Sequence, residues 1–224
     1  MRKLLFALLL ATGTAAQAAD SCRVPPNLTP APAGAQEEQR ILPVTKLVLA
    51  YYWWPEQCQR PDSAATPGCQ AHFGFKVHGL WPDSAGKTYP QFCRAPTALD
   101  LATVRANYCL TPSTSLLQHE WAKHGTCHWA DAPTYFASAH AVADKLNLPD
   151  AAVLPAAGLT VGALRDAVVA ANPALPRDSL FVATSSNQWL TELRVCLTTR
   201  YEPVACENGD IGAADRASLR VRRR

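Results

Sequence analysis

Charge is scarce in this 224-residue sequence: 17% of the residues are Asp, Glu, Lys or Arg, against 48% that are hydrophobic. A chain of that composition buries a full core, which excludes disorder for most of its length. Long apolar runs are also missing. Leu4–Ala11 is too short to cross a bilayer as a helix, and it lies between Arg2-Lys3 and the small residues Ala16-Gln17-Ala18. That order reads as a secretory signal peptide over residues 1–19, cleaved near Ala18 or Ala19. The mature chain is then expected to be secreted or periplasmic, without a membrane partner. Its removal takes away Arg2 and Lys3 and leaves 19 basic against 18 acidic residues, a net +1. So small an excess rules out long-range attraction to a polyanion as the main device. No two cysteines stand at a C-x₂₋₄-C spacing, which argues against a cysteine-based zinc site. No G-x-S-x-G elbow, internal repeat or low-complexity tract is present.

What the sequence does have is eight cysteines, Cys22, Cys58, Cys69, Cys93, Cys109, Cys127, Cys196 and Cys206, all beyond the expected cleavage point. Export and an even count predict four disulfides, with 105 pairings open. Residues 20–44 form an extended, proline-rich lead-in, residues 45–210 a single domain, and residues 211–224, ending in RVRRR, a basic tail. Aliphatic and aromatic runs predict strands at Lys46–Trp54, His72–His78, Ser179–Thr184 and Leu190–Thr199, the second delivering His78 to its end before a sharp turn at Gly79. Helical periodicity marks Ala98–Tyr108, Ser115–Gly125 with Gly125 as its C′ cap, Pro133–Leu146 and Val161–Ala171. With strand pairs at both ends of the chain, the expected class is α+β: a central, mainly antiparallel sheet with helices packed beside it, stapled by disulfides.

Two blocks carry the chemistry, Phe75-Lys-Val-His78-Gly-Leu-Trp81-Pro82 and His119-Glu-Trp-Ala-Lys-His124-Gly-Thr-Cys127. At about 100° per residue His119 stands at 0°, Lys123 at about 40°, Glu120 at about 100° and His124 at about 140°, so four ionisable groups share one helix face while Trp121 and Ala122 take the other. Such a cluster costs desolvation and like-charge repulsion that a purely structural face avoids. A zinc hydrolase would carry H-E-x-x-H, with both ligands at i and i+4; here the second histidine falls at i+5 and Lys123 occupies the ridge, where its ammonium repels a dication. Metal-free acid–base chemistry by one neutral and one protonated imidazole remains, with Lys123 suited to an oxyanion on phosphorus. For His72, His128 and His140 a structural role is expected, and Tyr51, Trp53 and Trp54 belong to the core.

The two blocks closely resemble the active-site segments of the ribonuclease T2 family, secreted acid ribonucleases, over about Tyr51–Cys206. The resemblance implies an endoribonuclease, first a lyase-like transferase and then a hydrolase, that makes a 2′,3′-cyclic phosphate and then a 3′-phosphate. It implies His124 as general base, His78 as general acid, Lys123 and Glu120 as stabilisers of the pentacovalent transition state, and His119 as a phosphate holder. Trp81, Asp83 and Tyr89 match positions that bind a base in some members, although a packed Trp81 is an equal reading. It also implies the bridges Cys93–Cys127 and Cys196–Cys206; Cys58–Cys69 is a local pairing, and Cys22–Cys109 is left by elimination. The expected enzyme is a monomer that uses single-stranded RNA, not DNA, and takes no cofactor or metal. A flat pH profile from 4 to 9 would count against the two-histidine pairing. The competing readings are a non-catalytic RNA-binding, storage or toxin-partner protein, which would have lost one of the histidines, and a secreted metallohydrolase.

Overall fold

The structure is a computed structural model and describes residues 22–34, 37–61, 63–64, 66–95 and 97–224; the expected signal peptide lies outside the described residues. Four antiparallel strands, β1 (Lys46–Trp53), β2 (Phe75–Asp83), β3 (Leu180–Thr184) and β4 (Leu190–Thr198), form one sheet in the order β2-β1-β4-β3. Alternation decides its two faces. Leu47, Leu49, Tyr51 and Trp53 of β1 point into the core with Leu193, Val195 and Leu197 of β4. The residues between them, Lys46, Val48 and Tyr52, line a cavity on the opposite face.

Helices close the core face. After the single-turn α1 (Trp54–Gln57) come α2 (Leu101–Asn107), α3 (Thr114–Lys123), α4 (Ala132–Ala143) and α5 (Val161–Ala171). The last four each begin at a side-chain cap, Asp100, Ser113, Asp131 and Thr160, that accepts an N–H of the first turn. These caps explain why α2 starts later than expected, at Leu101 instead of Ala98. Leu117 and Trp121 of α3, Tyr135 and Phe136 of α4, and Leu164 and Val168 of α5 complete the apolar cluster. Full burial of each such side chain contributes about 1.5–3 kcal/mol. The eight cysteines close four disulfides: Cys22–Cys109, Cys58–Cys69, Cys93–Cys127 and Cys196–Cys206.

Several boundaries depart from expectation. Trp54 opens α1 and does not end β1, because Pro55 cannot continue the ladder. Gly125 is no left-handed cap: α3 stops at Lys123, His124 is its C-cap, and Gly125 begins a 3₁₀ turn through Cys127. Glycine is required there because a Cβ would overlap the Trp121 ring. The expected basic tail is instead part of the fold. Leu219 is buried, Ile211 and Ala213 bond the backbone of Val182, the Arg222 carbonyl accepts the Trp53 indole N–H at 2.9 Å, and Arg220 and Arg222 stack on Trp189 at 4.0 and 4.4 Å. Counter-ions on the body, Glu56 for Arg222 and Asp150 for Arg224, offset the charge run. The lead-in also docks, through a bridge between Arg40 and Gln91 and the Cys22–Cys109 bond.

The largest difference is in β2. Instead of ending at His78, it runs on to Asp83, and the pairing with β1 skips a residue: Ala50 faces Gly79, whereas Tyr51 faces Val77. His78 is the extra residue of a β-bulge. In a regular strand, residues three apart point to opposite faces; the bulge puts His78 and Trp81 on the same face while Val77 and Leu80 both enter the core. Pro82 is tolerated because β2 is an edge strand.

Candidate active site

A cavity of about 870 Å³ opens on the face of the sheet away from the core, and its walls include His78, Trp81, Asp83, Tyr89, His119, Glu120, Lys123 and His124. Two separate elements supply most of them, and the loop after β2 adds Tyr89. The bulged β2 projects His78 and Trp81, and the last turn of α3 with its C-cap projects Glu120, Lys123 and His124. The closeness of these elements depends on Gly79, where a Cβ would overlap Glu120 Oε2 and Trp81 Nε1. The helix face expected to be polar is therefore turned inward: Glu120 is 2% exposed and His124 6%, while His119 is exposed at the rim.

The carboxylate of Glu120 is the hub. It accepts the Trp81 indole N–H at 2.7 Å and stands 3.3 Å from His78 Nε2. Burial alone would raise its pKa, but the neighbouring imidazoles and the indole donor outweigh burial and hold it down at about 2. For His78 burial acts downward, yet Glu120 and Glu192 together keep the imidazole above its ordinary value. His124 goes the other way. Burial first, then repulsion from Lys123, His78 and His119, outweigh Glu120 and push it down to about 3. Its Nδ1 is buried with no hydrogen-bond partner among the described residues, so a proton there would have no acceptor. His78 is thus biased toward its charged form and His124 toward its neutral form, and both rings lie against Trp81, with ring centroids 4.9 Å (His78) and 5.4 Å (His124) from it.

The remaining expected residues are spread along the cavity. Tyr89 lies 5.9 Å from the His124 ring, with Lys123 Nζ 5.8 Å from its own centroid. Asp83 stands apart, 3.5 Å from Lys46, which also pairs with Glu207. Of the other histidines, His72 is exposed ahead of β2, His128 packs edge-on against Trp129 and is held below its ordinary pKa by burial, and His140 bonds Asn107 at 3.0 Å. Tyr51, Trp53 and Trp54 are core residues. Among the described residues, no three His, Cys, Asp or Glu side chains are grouped to hold a metal ion, and no helix is long and apolar enough to cross a membrane.

Three cavity residues escaped the sequence reading. Tyr52 stacks on His78 at 3.8 Å, Glu192 accepts from or pairs with His78 Nδ1 at 2.7 Å, and Arg194 bonds Glu192 Oε2 through Nε at 2.8 Å. A signal existed for the last two: they are the two charged residues of β4, at alternate positions of the strand.

Comparison with known proteins gives one answer. Residues 44–206 match the model of the Ribonuclease T2 family. A probable ribonuclease of Haemophilus influenzae is 34% identical over 123 residues, 48% of this chain and 45% of that protein. A ribonuclease of Aeromonas hydrophila is 41% identical over 79 residues, 35% of each chain. The chain thus matches less than half the length of these two relatives. Trichomaglin, described as an S-like ribonuclease, superposes with a TM-score of 0.61 at 21% identity, covering 79% of this chain and 98% of its own, a likeness of fold.

Proposed function

Because the chain belongs to the ribonuclease T2 family, we propose that it is a metal-independent endoribonuclease that cleaves single-stranded RNA by attack of the ribose 2′-hydroxyl on the adjoining phosphate. The observation that carries this reading is the pair of oppositely perturbed imidazoles on one cavity. Neutral His124 takes the 2′-hydroxyl proton as the 2′-oxygen bonds to phosphorus. Charged His78 gives its proton to the 5′-oxygen as that P–O bond breaks, leaving a 2′,3′-cyclic phosphate and a 5′-hydroxyl. Hydrolysis to the 3′-phosphate runs the same two groups in reverse, with water in place of the departed 5′-oxygen.

Electrostatics support a phosphodiester in this cavity. At the end that holds the imidazoles, charged His78, Lys123 and Arg194 stand against the carboxylates of Glu120 and Glu192. One positive charge is left over, matching the single negative charge of the linkage. Lys123 and Glu120 are read as transition-state stabilisers, Glu120 acting through its hold on His78 and Trp81, and His119 at the rim as a phosphate contact. Trp81 and Tyr89 offer ring faces for an unpaired base, with Asp83 beyond them. The four disulfides support an oxidising compartment outside the cytosol.

The direct test incubates the protein in EDTA with single-stranded RNA and with DNA of the same sequence, and identifies product ends by mass spectrometry. Expected are cyclic phosphates that convert to 3′-phosphates, from RNA alone and at an unchanged rate with the chelator. Cleavage of DNA, 5′-phosphate ends, or activity lost to EDTA and restored by zinc would overturn the reading.

The pH dependence follows from the same pair. The base must be neutral, and its lowered pKa keeps it so down to the region of pH 3; the acid must be charged, and its raised pKa keeps it so beyond 6.5. The expected profile of kcat/KM rises through about pH 3, holds, and falls only above 6.5. An acid limb at the ordinary histidine value would contradict it.

A further inference from the structure

We infer that Glu192, held by Arg194, is the positioning residue for the acid arm of this site, locking His78 with Nδ1 turned to the sheet and Nε2 turned to the leaving group. The inference rests on the ribonuclease reading above and extends it to residues of β4, far in sequence from both active-site blocks.

The geometry is a relay across three strands. Glu192 Oε1 stands 2.7 Å from His78 Nδ1, while its Oε2 takes the Arg194 guanidinium through Nε at 2.8 Å and through Nη2. Each oxygen thus has its own partner, and pairing with Arg194 does not remove Glu192 from His78. Arg194 is fixed in turn over the Trp81 and Phe181 rings, at 5.0 and 4.8 Å. β2 and β4 are not neighbours; β1 lies between them, so the contact spans two strand spacings, roughly 10 Å of backbone. It is possible because Ala50, in register with both Gly79 and Arg194, offers only a methyl group on that face. Tyr52, in register with Glu192, closes the arrangement by stacking on the imidazole.

The two carboxylates on His78 are unequal, and that decides their roles. Nδ1–Glu192 is short, whereas Nε2–Glu120 at 3.3 Å is long and faces the cavity, so a substrate oxygen can displace it. A carboxylate at Nδ1 fixes the ring orientation and favours the charged form, leaving the Nε2 proton to be delivered. The charged and titratable groups around His78 are Tyr52 on β1, Glu120 and, beyond it, His124 on α3, and Glu192 with Arg194 on β4; Arg60 reaches Tyr52 electrostatically. Glu192 is the one that orients the ring from below.

The test is Glu192→Gln, which keeps an acceptor of the same shape and removes the charge. Folding is checked by circular dichroism and melting, and the His78 titration is followed by NMR. On RNA the expected loss in kcat is about 100-fold, within the range a positioned acid supplies, with little change in KM. The alkaline limb and the His78 titration should both move to lower pH. On uridine and adenosine 3′-(4-nitrophenyl) phosphate, whose leaving group needs no proton, the loss should be less than about tenfold. Equal losses on both substrate types, or an unmoved His78 titration and alkaline limb, would overturn the inference. Failure of the parent protein to cleave RNA would instead strike the underlying ribonuclease reading.

Discussion

His124→Ala is expected to lower RNA cleavage by about 10³–10⁴-fold, within the span removed when a general base is lost, while the protein stays folded. The side chain is buried yet makes no side-chain hydrogen bond among the described residues, so its removal breaks no hydrogen bond between α3 and β2 and gives up only its ring contacts with Trp81 and Tyr89. The pH dependence of stability gives an independent reading of the same residue. His124 titrates at about 3 in the folded state, below its unfolded value of 6.5. As pH falls through 6.5 the unfolded chain takes up a proton that the folded chain refuses, so wild-type stability declines relative to a chain without the group. The alanine variant should therefore lose less melting temperature between pH 7 and pH 5 than its parent while being far less active. His78→Ala separates the second role. It should lose RNA cleavage to a similar extent but retain much more activity than His124→Ala on a 4-nitrophenyl ester. If both variants fall equally on that ester, or if either turns over RNA normally, the division into base and acid fails.

The parts of the site legible in the sequence were those carried by short contiguous patterns. α5 coincides with the expected Val161–Ala171 because a threonine cap precedes a helical stripe of Val161, Leu164 and Val168. The α3 block showed its ionisable residues by spacing alone. β2 was misread because Gly79 and Pro82 are turn residues in most settings; here Gly79 makes room for Glu120, and Pro82 sits on an edge. No local pattern distinguishes those uses, since the partner atoms come from residue 120 and from the sheet order. Glu192 and Arg194 were visible as charges in a strand, but their meaning depends on the register that sets Ala50 between Gly79 and Arg194. The terminal arginines looked like a solvated run because the rings and carboxylates that receive them, Trp189, Glu56 and Asp150, are distant in sequence. In each case the missing information was tertiary: the identity of the neighbour, not the chemistry of the residue.

Arg165→Ala is the substitution with the largest expected cost to stability, about 3–5 kcal/mol, a fall in melting temperature of roughly 10 °C. Arg165 is fully buried, at 0% exposed. Its guanidinium donates to the carbonyls of Leu180 at 3.3 Å, Ala213 at 2.7 Å and Ile211, and it pairs with Asp215. Truncation leaves a cavity in the core and removes the guanidinium donor from three carbonyls, of which Ile211 keeps the Val182 N–H. The loss of the ion pair itself is the smaller part, because Asp215 is half-exposed and keeps Arg177 at 2.8 Å. Arg165→Met, which refills the volume, should recover part of the loss, and Asp215→Asn should cost much less. The consequence reaches beyond Arg165. Ile211 and Ala213 are the residues that pair with Val182 and cover the outer edge of β3, so loosening them exposes an unpaired strand edge and should promote aggregation on heating. Activity per folded molecule at 25 °C should be unaffected, because Arg165 is absent from the walls of the cavity. A melting temperature within 2 °C of the parent would mean that the C-terminal strand cover is held by Trp189 and the terminal arginines, and not by the buried guanidinium.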